Sequence, residues 1–405
     1  MSCTNQLDFG AWTSSRQMQF PNRSVFGRLF QSGSHEYIVC TTGNGYAVSG
    51  DLMCAGNTTQ ETKRIMTAAT PESGTPETIA VMGGGAMGTA CASVFAGNLG
   101  HRVRLWVRNQ IFAAHIRETR ENSRLLPGVR IPDAVEVSAD PDVVLRDATI
   151  TVMCIPTKDI RSACEMISTS VPSTTLMVSA AKGIEVDTLI RPSQILQEML
   201  GSLPVVAFGG PCHAEELARG RPTSVVAAGD NLSDAERVRD VFSCETLRVY
   251  SSEDITGVEM GGALKNVIAI AAGICDGLRL GDNARAALIT RGLAEMARFC
   301  RTMSISPETL YGLAGIGDLI ATCGSQHSRN RYVGDLLGQG RSLKEIENSM
   351  SAVAEGVFTA RSVRSLSEKH QIEMPIVREV CHVLFDGRSP RDATDVLMQR
   401  PLRGE

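Results

Sequence analysis

Between residue 78 and about residue 230 the chain is punctuated by short runs that are apolar or β-prone almost throughout: Ile79 to Met82, Val103 to Val107, Ala148 to Ile155 and Thr175 to Ala180. Pro204 to Phe208 and Thr223 to Ala228 give two shorter candidates. Runs of this length bounded by glycine, proline or charge read as strands buried on both faces. The segments between them leave room for helical crossovers, so the pattern predicts a largely parallel α/β sheet with right-handed connections. From about Gly257 the period changes. VEMGGALKNVIAIAAGICDGL and NARAALITRGLAEMARFCRTM read as long helices, shorter helices follow, and no strand-like alternation of any length recurs. An all-helical second half is expected, with its boundary near residue 255. Met1 to about Thr75 shows no sustained apolar period and is rich in Ser, Thr, Gly, Asn and Gln. The expected organisation is therefore a tail over residues 1–75, an α/β dinucleotide-binding domain of the Rossmann type over 76–255, and a helical domain over 256–400.

The first strand runs straight into Gly83-Gly84-Gly85-Ala86-Met87-Gly88, followed by the helix-compatible Thr89, Ala90, Cys91 and Ala92. In a strand-turn-helix of this kind Gly83 permits the turn. Gly85 lets backbone amides approach a pyrophosphate, and Gly88 lets the helix pack on the strand, so a diphosphate would rest on the helix N-terminus with Ala86 and Met87 beside it. The second strand ends at Arg108, where an acidic residue usually takes the adenosine ribose hydroxyls. A guanidinium there favours a 2′-phosphate, so NADPH is preferred over NADH, although arginine can also stack on adenine. Ligands of such sheets lie beyond the carboxyl ends of the strands, which places Pro156, Thr157 and Lys182 at the cofactor cleft.

Composition narrows the partners. The chain has 405 residues and a formal net charge of -4, which offers no long-range attraction to nucleic acid or anionic membranes; an anionic ligand needs a local cluster of cations. No run of about 18 or more apolar residues occurs, so no membrane span is expected. The twelve cysteines never form a C-x-x-C pair and several lie inside apolar runs, the usage of a reducing compartment. His213 and His327 stand apart in sequence, and no metal site is expected. Ahead of Glu36 the start carries Arg16, Arg23 and Arg28 against only Asp8, a Ser- and Arg-rich, acid-poor composition suited to an organellar transit peptide, plastid among them. A disordered tail, with the protein cytoplasmic, is the alternative.

Two segments carry candidate chemistry. Lys265 lies within the first long helical run, and its neighbours three and four residues away are Gly261, Gly262, Ile268 and Ala269. A small, apolar face would desolvate the amine and lower its pKa, as an acid/base lysine requires; a lysine reaching outward from a helix edge is the competing reading. Further on, Asp318 and Thr322 are four apart on one helical face. Ser328, Arg329 and Asn330 then combine hydroxyl, guanidinium and amide donors suited to a phosphate, while Arg331 beside them would suit a solvated basic turn.

With GGGAMG, LWVR at Leu105 to Arg108, AAKGIE at Ala180 to Glu185, GGPCHAEELARGRPT at Gly209 to Thr223, the stretch Gly257 to Leu293, GDLIATC, SRNR and VAEGV at Val353 to Val357, residues 77 to 398 resemble the NAD(P)-dependent glycerol-3-phosphate dehydrogenases. The form of SRNR is similar to the bacterial and plastid branch. The resemblance implies interconversion of dihydroxyacetone phosphate and sn-glycerol 3-phosphate, a place in supplying the glycerolipid backbone, and a homodimer. It also implies that Lys265 exchanges a proton with the substrate oxygen beside Lys182 and Asp318. Ser328, Arg329 and Asn330 would hold the phosphate, Asn266 and Thr322 would touch substrate, and Gly210, Cys212 and Ala214 would lie near substrate and nicotinamide. Arg329, Val353 and Glu355 would lie near the cofactor. One departure concerns Cys212 and His213, where the family usually has Ser or Thr and then Phe; a thiol is the poorer hydrogen-bond donor. Two other readings compete: a dehydrogenase of similar plan acting on a hydroxy acid, and a dinucleotide-binding protein without turnover.

Overall fold

The computed structural model describes the backbone of residues 14–19, 26–32, 35–42 and 45–49, and describes residues 76–97, 100–350 and 354–401 more fully. The chain divides into two compact units, residues 1–70 and 71–405. In the first, β1 (Ser14–Gln19), β2 (Phe26–Ser32), β3 (His35–Thr42) and β4 (Gly45–Ser49) form an antiparallel sheet in that order. These strands fall within the stretch expected to be a tail. Ser32 pairs with His35 and Thr42 with Gly45, and in the sequence Gly33-Ser34 and Gly43-Asn44 stand between these partners. Glycine beside a short polar residue between β-prone runs is a two-residue hairpin signal that operates locally, without the long apolar period of a core.

The second unit holds eight strands: β5 (Thr78–Met82), β6 (Arg102–Trp106), β7 (Val135–Ser138), β8 (Ile150–Met153), β9 (Leu176–Ser179), β10 (Val205–Gly209), β11 (Thr223–Gly229) and β12 (Leu247–Ser252). Their order is β12-β11-β10-β9-β8-β5-β6-β7. All neighbours are parallel except β10 and β11, a reversal that the apolar runs do not reveal. The six expected strands form. β7 and β12 escape the apolar-run pattern because they are the two edges: Glu136 and then Arg248 and Tyr250 face outward, so neither strand is continuously apolar. Strand order turns back on itself between β5 and β8, and the carboxyl ends of these strands open the crevice in which such sheets bind ligands.

Helix Ile255–Gly277 is the axis of the helical half. The Asp254 carboxylate caps it by accepting from the Gly257 amide at 2.7 Å, and its residues are buried almost without interruption from Ile255 to Cys275. By length and hydropathy it could cross a membrane, but its apolar stretch is wholly buried by its neighbours, which include Arg329–Gly338, Asp282–Thr302 and Glu355–Lys369. A helix apolar on all sides is one enclosed on all sides. Glu259, buried near its start, accepts from the amide and hydroxyl of Ser193, both at 2.7 Å, and pairs with Arg191. These contacts tie the axis to helix Pro192–Leu200 of the α/β half.

Candidate active site

The glycine turn after β5 has three different local demands. Gly83 has φ +118°, in the region that glycine alone enters freely, and a Cβ there would lie 2.7 Å from the Cys154 carbonyl oxygen. A Cβ on Gly88 would lie 1.9 Å from the Gly83 oxygen, whereas one on Gly85 would meet open space. The turn thus packs at Gly83 and Gly88 and stays clear at Gly85, where helix Ala86–Gly97 begins with unsatisfied amides. Ala86 and Met87 stand in its first turn. Asn122, fully buried, holds the turn from behind: its amide donates to the Gly84 oxygen at 3.1 Å and to the Thr89 hydroxyl at 2.8 Å. Nothing in the sequence marks Asn122, which lies in an irregular segment far from the motif. Arg108 follows β6 and is exposed, with no side-chain partner among the described residues. A dinucleotide fits this cradle: clear space at the amides, closed backing, and a cation at the end of the second strand.

Three polar side chains meet where the α/β and helical halves join. The Asp318 carboxylate, buried at the start of helix Asp318–Gly324, accepts from Lys265 Nζ at 2.7 Å on one oxygen and from Lys182 Nζ at 2.8 Å on the other. Thr322, one turn on, accepts from Lys265 at 2.6 Å, so the four-residue spacing brings both to the same amine. Lys182 also donates to the Gly210 carbonyl at 2.8 Å and touches the Cys212 sulfur at 3.6 Å. Gly210 presents that carbonyl from φ +125°.

Burial of the Lys265 amine lowers its pKa; Asp318 opposes the shift and Lys182 adds to it. Burial pulls Lys182 down too, but Asp318 and Cys212 outweigh it and hold its pKa above the ordinary lysine value. Burial would raise the Asp318 pKa, yet the two ammoniums keep it below the usual range. Burial pushes the Cys212 thiol up and the His213 imidazole down. Lys265 is thus desolvated and its pKa lowered, as its small, apolar helical neighbours lead one to expect. The amine is buried, but it is held by a carboxylate and a hydroxyl.

The expected phosphate residues occupy the start of helix Arg329–Gly338 and differ in what they have left to offer. Ser328 is its cap, its oxygen accepting from the Arg331 amide at 3.2 Å. Asn330 accepts from the Gly356 amide at 2.9 Å and donates to Asn266 at 2.8 Å; Asn266 in turn donates to the Lys182 carbonyl at 2.8 Å. Each amide group retains one N–H beyond these bonds. Arg329 is exposed, and its guanidinium has no partner among the described residues. Arg331, which could have been a solvated turn residue, instead pairs with Asp276 at 2.7 Å.

Pro156 precedes the turn Thr157–Asp159 beyond β8, and Ala214 opens the short helix Ala214–Leu217. Glu355 accepts from the Thr157 amide at 2.8 Å and hydroxyl at 3.1 Å, linking the start of Glu355–Lys369 to the turn beyond β8. Val353 lies outside the described residues. The rings of His213 and His327 come within 6.1 Å although 114 positions separate them in numbering, and among the described residues no group of three metal-binding side chains assembles.

Known proteins share this plan. Residues 78–235 match the family model for the N-terminus of NAD-dependent glycerol-3-phosphate dehydrogenase, and residues 254–395 match that for its C-terminus. A glycerol-3-phosphate dehydrogenase [NAD(P)+] from Moorella thermoacetica is 46% identical over 329 residues, covering 81% of this chain and 98% of that one. A relative of the same description from Prosthecochloris aestuarii is 44% identical over 330 residues, covering 81% and 99%. The crystal structure of glycerol-3-phosphate dehydrogenase from Coxiella burnetii is 34% identical with a TM-score of 0.77, covering 80% of this chain and 99% of that one. The extent of these matches leads to one conclusion: the chain belongs to the NAD-dependent glycerol-3-phosphate dehydrogenase family.

Proposed function

We propose that the protein reduces dihydroxyacetone phosphate to sn-glycerol 3-phosphate, reversibly, with NADPH or NADH. The observation that carries the reading is the pair of lysines on Asp318, whose pKa values are displaced in opposite directions. A pair of titratable groups driven apart assigns its own roles. Lys182 is the fixed cation, and Lys265, whose buried amine gives up its proton more readily than an ordinary lysine, is the amine that exchanges a proton.

When bound, the nicotinamide supplies or accepts the hydride. As negative charge develops on the substrate carbonyl oxygen, the Lys265 ammonium stabilises it and delivers its proton there; Lys182 adds a second positive centre. Asp318 holds both amines in place and Thr322 fixes the direction of the Lys265 amine. Arg329, with the spare N–H of Asn330, supplies the phosphate with a charge-assisted partner. Cys212 stands against Lys182 as a weak hydrogen-bond partner, leaving the Gly210 carbonyl as the firmer anchor of that amine.

Three finer expectations accompany this reading: preference for NADPH, supported by Arg108; a homodimer with a role in glycerolipid supply, supported by the resemblance; and an organellar address such as the plastid, supported by the acid-poor start. Steady-state assay of the purified protein with dihydroxyacetone phosphate and each reduced cofactor tests the main reading. Cofactor oxidation that depends on dihydroxyacetone phosphate is expected; binding of cofactor with no turnover, or turnover only on hydroxy or keto acids, would overturn it.

A further inference from the structure

Resting on the reading of Lys265 as proton donor and Arg329 as phosphate cation, we propose that a glycine seam between helices Ile255–Gly277 and Arg329–Gly338 positions these two groups. Its contacts set the span between the cations and hence the length of substrate accepted. A Cβ on Gly273 would lie 2.0 Å from the Arg331 oxygen, and one on Gly277 would lie 2.2 Å from the Asp335 oxygen. From the other side, a Cβ on Gly334 would lie 2.0 Å from the Ile270 oxygen, and one on Gly338 would lie 2.7 Å from the Ile274 oxygen. Glycines four apart on both helices therefore interlock, backbone against backbone, and no larger residue fits.

The facing positions rise together, Ile270 beside Gly334 and Ile274 beside Gly338, so the helices run parallel at one fixed offset. The same offset of 64 residues pairs Asn266 with Asn330, the chain neighbours of Lys265 and Arg329. A slip of one helical turn would move Arg329 by about 5.4 Å, far more than the reach between a carbonyl and a phosphate on a three-carbon substrate tolerates. Arg329 has no side-chain partner among the described residues to place it, so its position comes from the backbone of its helix. Across the same seam, Arg331 Nε pairs with Asp276 Oδ2 at 2.7 Å, and Asp276 also takes Arg285 at 3.2 Å. This ion pair pins the first turn of the Arg329 helix. Gly273, Gly277, Gly334, Gly338, Arg331 and Asp276 are thus positioning residues, acting through Arg329 and not on the substrate.

The test measures kcat/KM for dihydroxyacetone phosphate in Gly334→Ala, Asp276→Asn and Asp276→Glu, each alone and combined with Arg329→Ala. Gly334→Ala should lower it roughly tenfold or more and Asp276→Asn by a smaller factor, since sub-ångström to ångström displacement of a binding group costs up to about a hundredfold. Asp276→Glu, which keeps the charge, should recover most of the loss. In the Arg329→Ala background the seam variants should have no further effect. Wild-type values in the single variants, or the same proportional loss with and without Arg329, would overturn the positioning role. Arg329→Ala alone leaving kcat/KM unchanged would instead remove the phosphate reading beneath it. Should Gly334→Ala fail to melt cooperatively, the Asp276 pair decides by itself.

Discussion

Lys182 and Lys265 share the Asp318 carboxylate, yet their surroundings differ enough to separate their chemistry. Lys182 adds the Gly210 carbonyl and the Cys212 sulfur to its partners, whereas Lys265 adds only a hydroxyl and is enclosed more tightly. The ammonium form of Lys265 serves reduction and its neutral form serves oxidation. The reduction rate should fall, and the oxidation rate rise, as pH passes through a Lys265 pKa placed below the ordinary lysine value. Lys265→Met should keep the fold and lower kcat by roughly 10²–10⁴-fold, the usual contribution of acid/base catalysis. A variant with near-normal kcat, or wild-type profiles that do not move in opposite directions, would refute the role. Arg108 is the residue on which cofactor choice turns. Arg108→Asp should reduce kcat/KM for NADPH roughly tenfold to a hundredfold, the worth of a charge-assisted contact, while leaving NADH equal or improved. Equal losses with both cofactors would mean that Arg108 stacks on adenine.

At the scale of elements, most of the helical half is held by packing around Ile255–Gly277, and one of its contacts between helices rests on a carboxyl whose pKa is raised by burial. Glu295, buried in Asp282–Thr302, accepts from the amides of Ile376 at 2.7 Å and Val377 at 3.3 Å at the start of Pro375–Phe385. Burial raises its carboxyl from 4.5 to about 7, and the two amides only partly oppose this. A raised carboxyl stabilises the fold fully below its unfolded value and loses that contribution as pH climbs through the folded one. Between pH 4.5 and 7 the loss amounts to about 3 kcal/mol. Glu295→Gln is neutral at every pH, so its melting temperature relative to wild type should rise from pH 5 to pH 8, apart from a constant offset for the amide facing a backbone N–H. A difference independent of pH would show that Glu295 stays ionised in the fold. The strands were legible where they are enclosed: β5, β6, β8, β9, β10 and β11 each read as an apolar run. β7 and β12 did not, because an edge strand needs only one apolar face.

For the molecule as a whole, residues 1–70 form a unit of their own, and both family matches begin at or after residue 78. A protein lacking residues 1–70 should fold and retain kcat/KM for dihydroxyacetone phosphate within about twofold, since every residue named for the proposed site lies beyond residue 82. Insoluble or inactive protein would show that the first unit supports the second. By itself the sequence determined whatever depends on neighbours along the chain. The turn at Gly83 to Gly88, the continuous apolar strands, the change of period near residue 255 and the one-turn spacing of Asp318 and Thr322 all follow from local backbone geometry and side-chain period. Only the tertiary structure decided which other distant groups meet: Asn122 behind the glycine turn, Thr157 on Glu355, and Arg331 on Asp276. It also decided the antiparallel turn at β11 and the separation of the two lysine pKa values. These depend on burial and on charges brought close from far along the chain, and no spacing in the sequence records them.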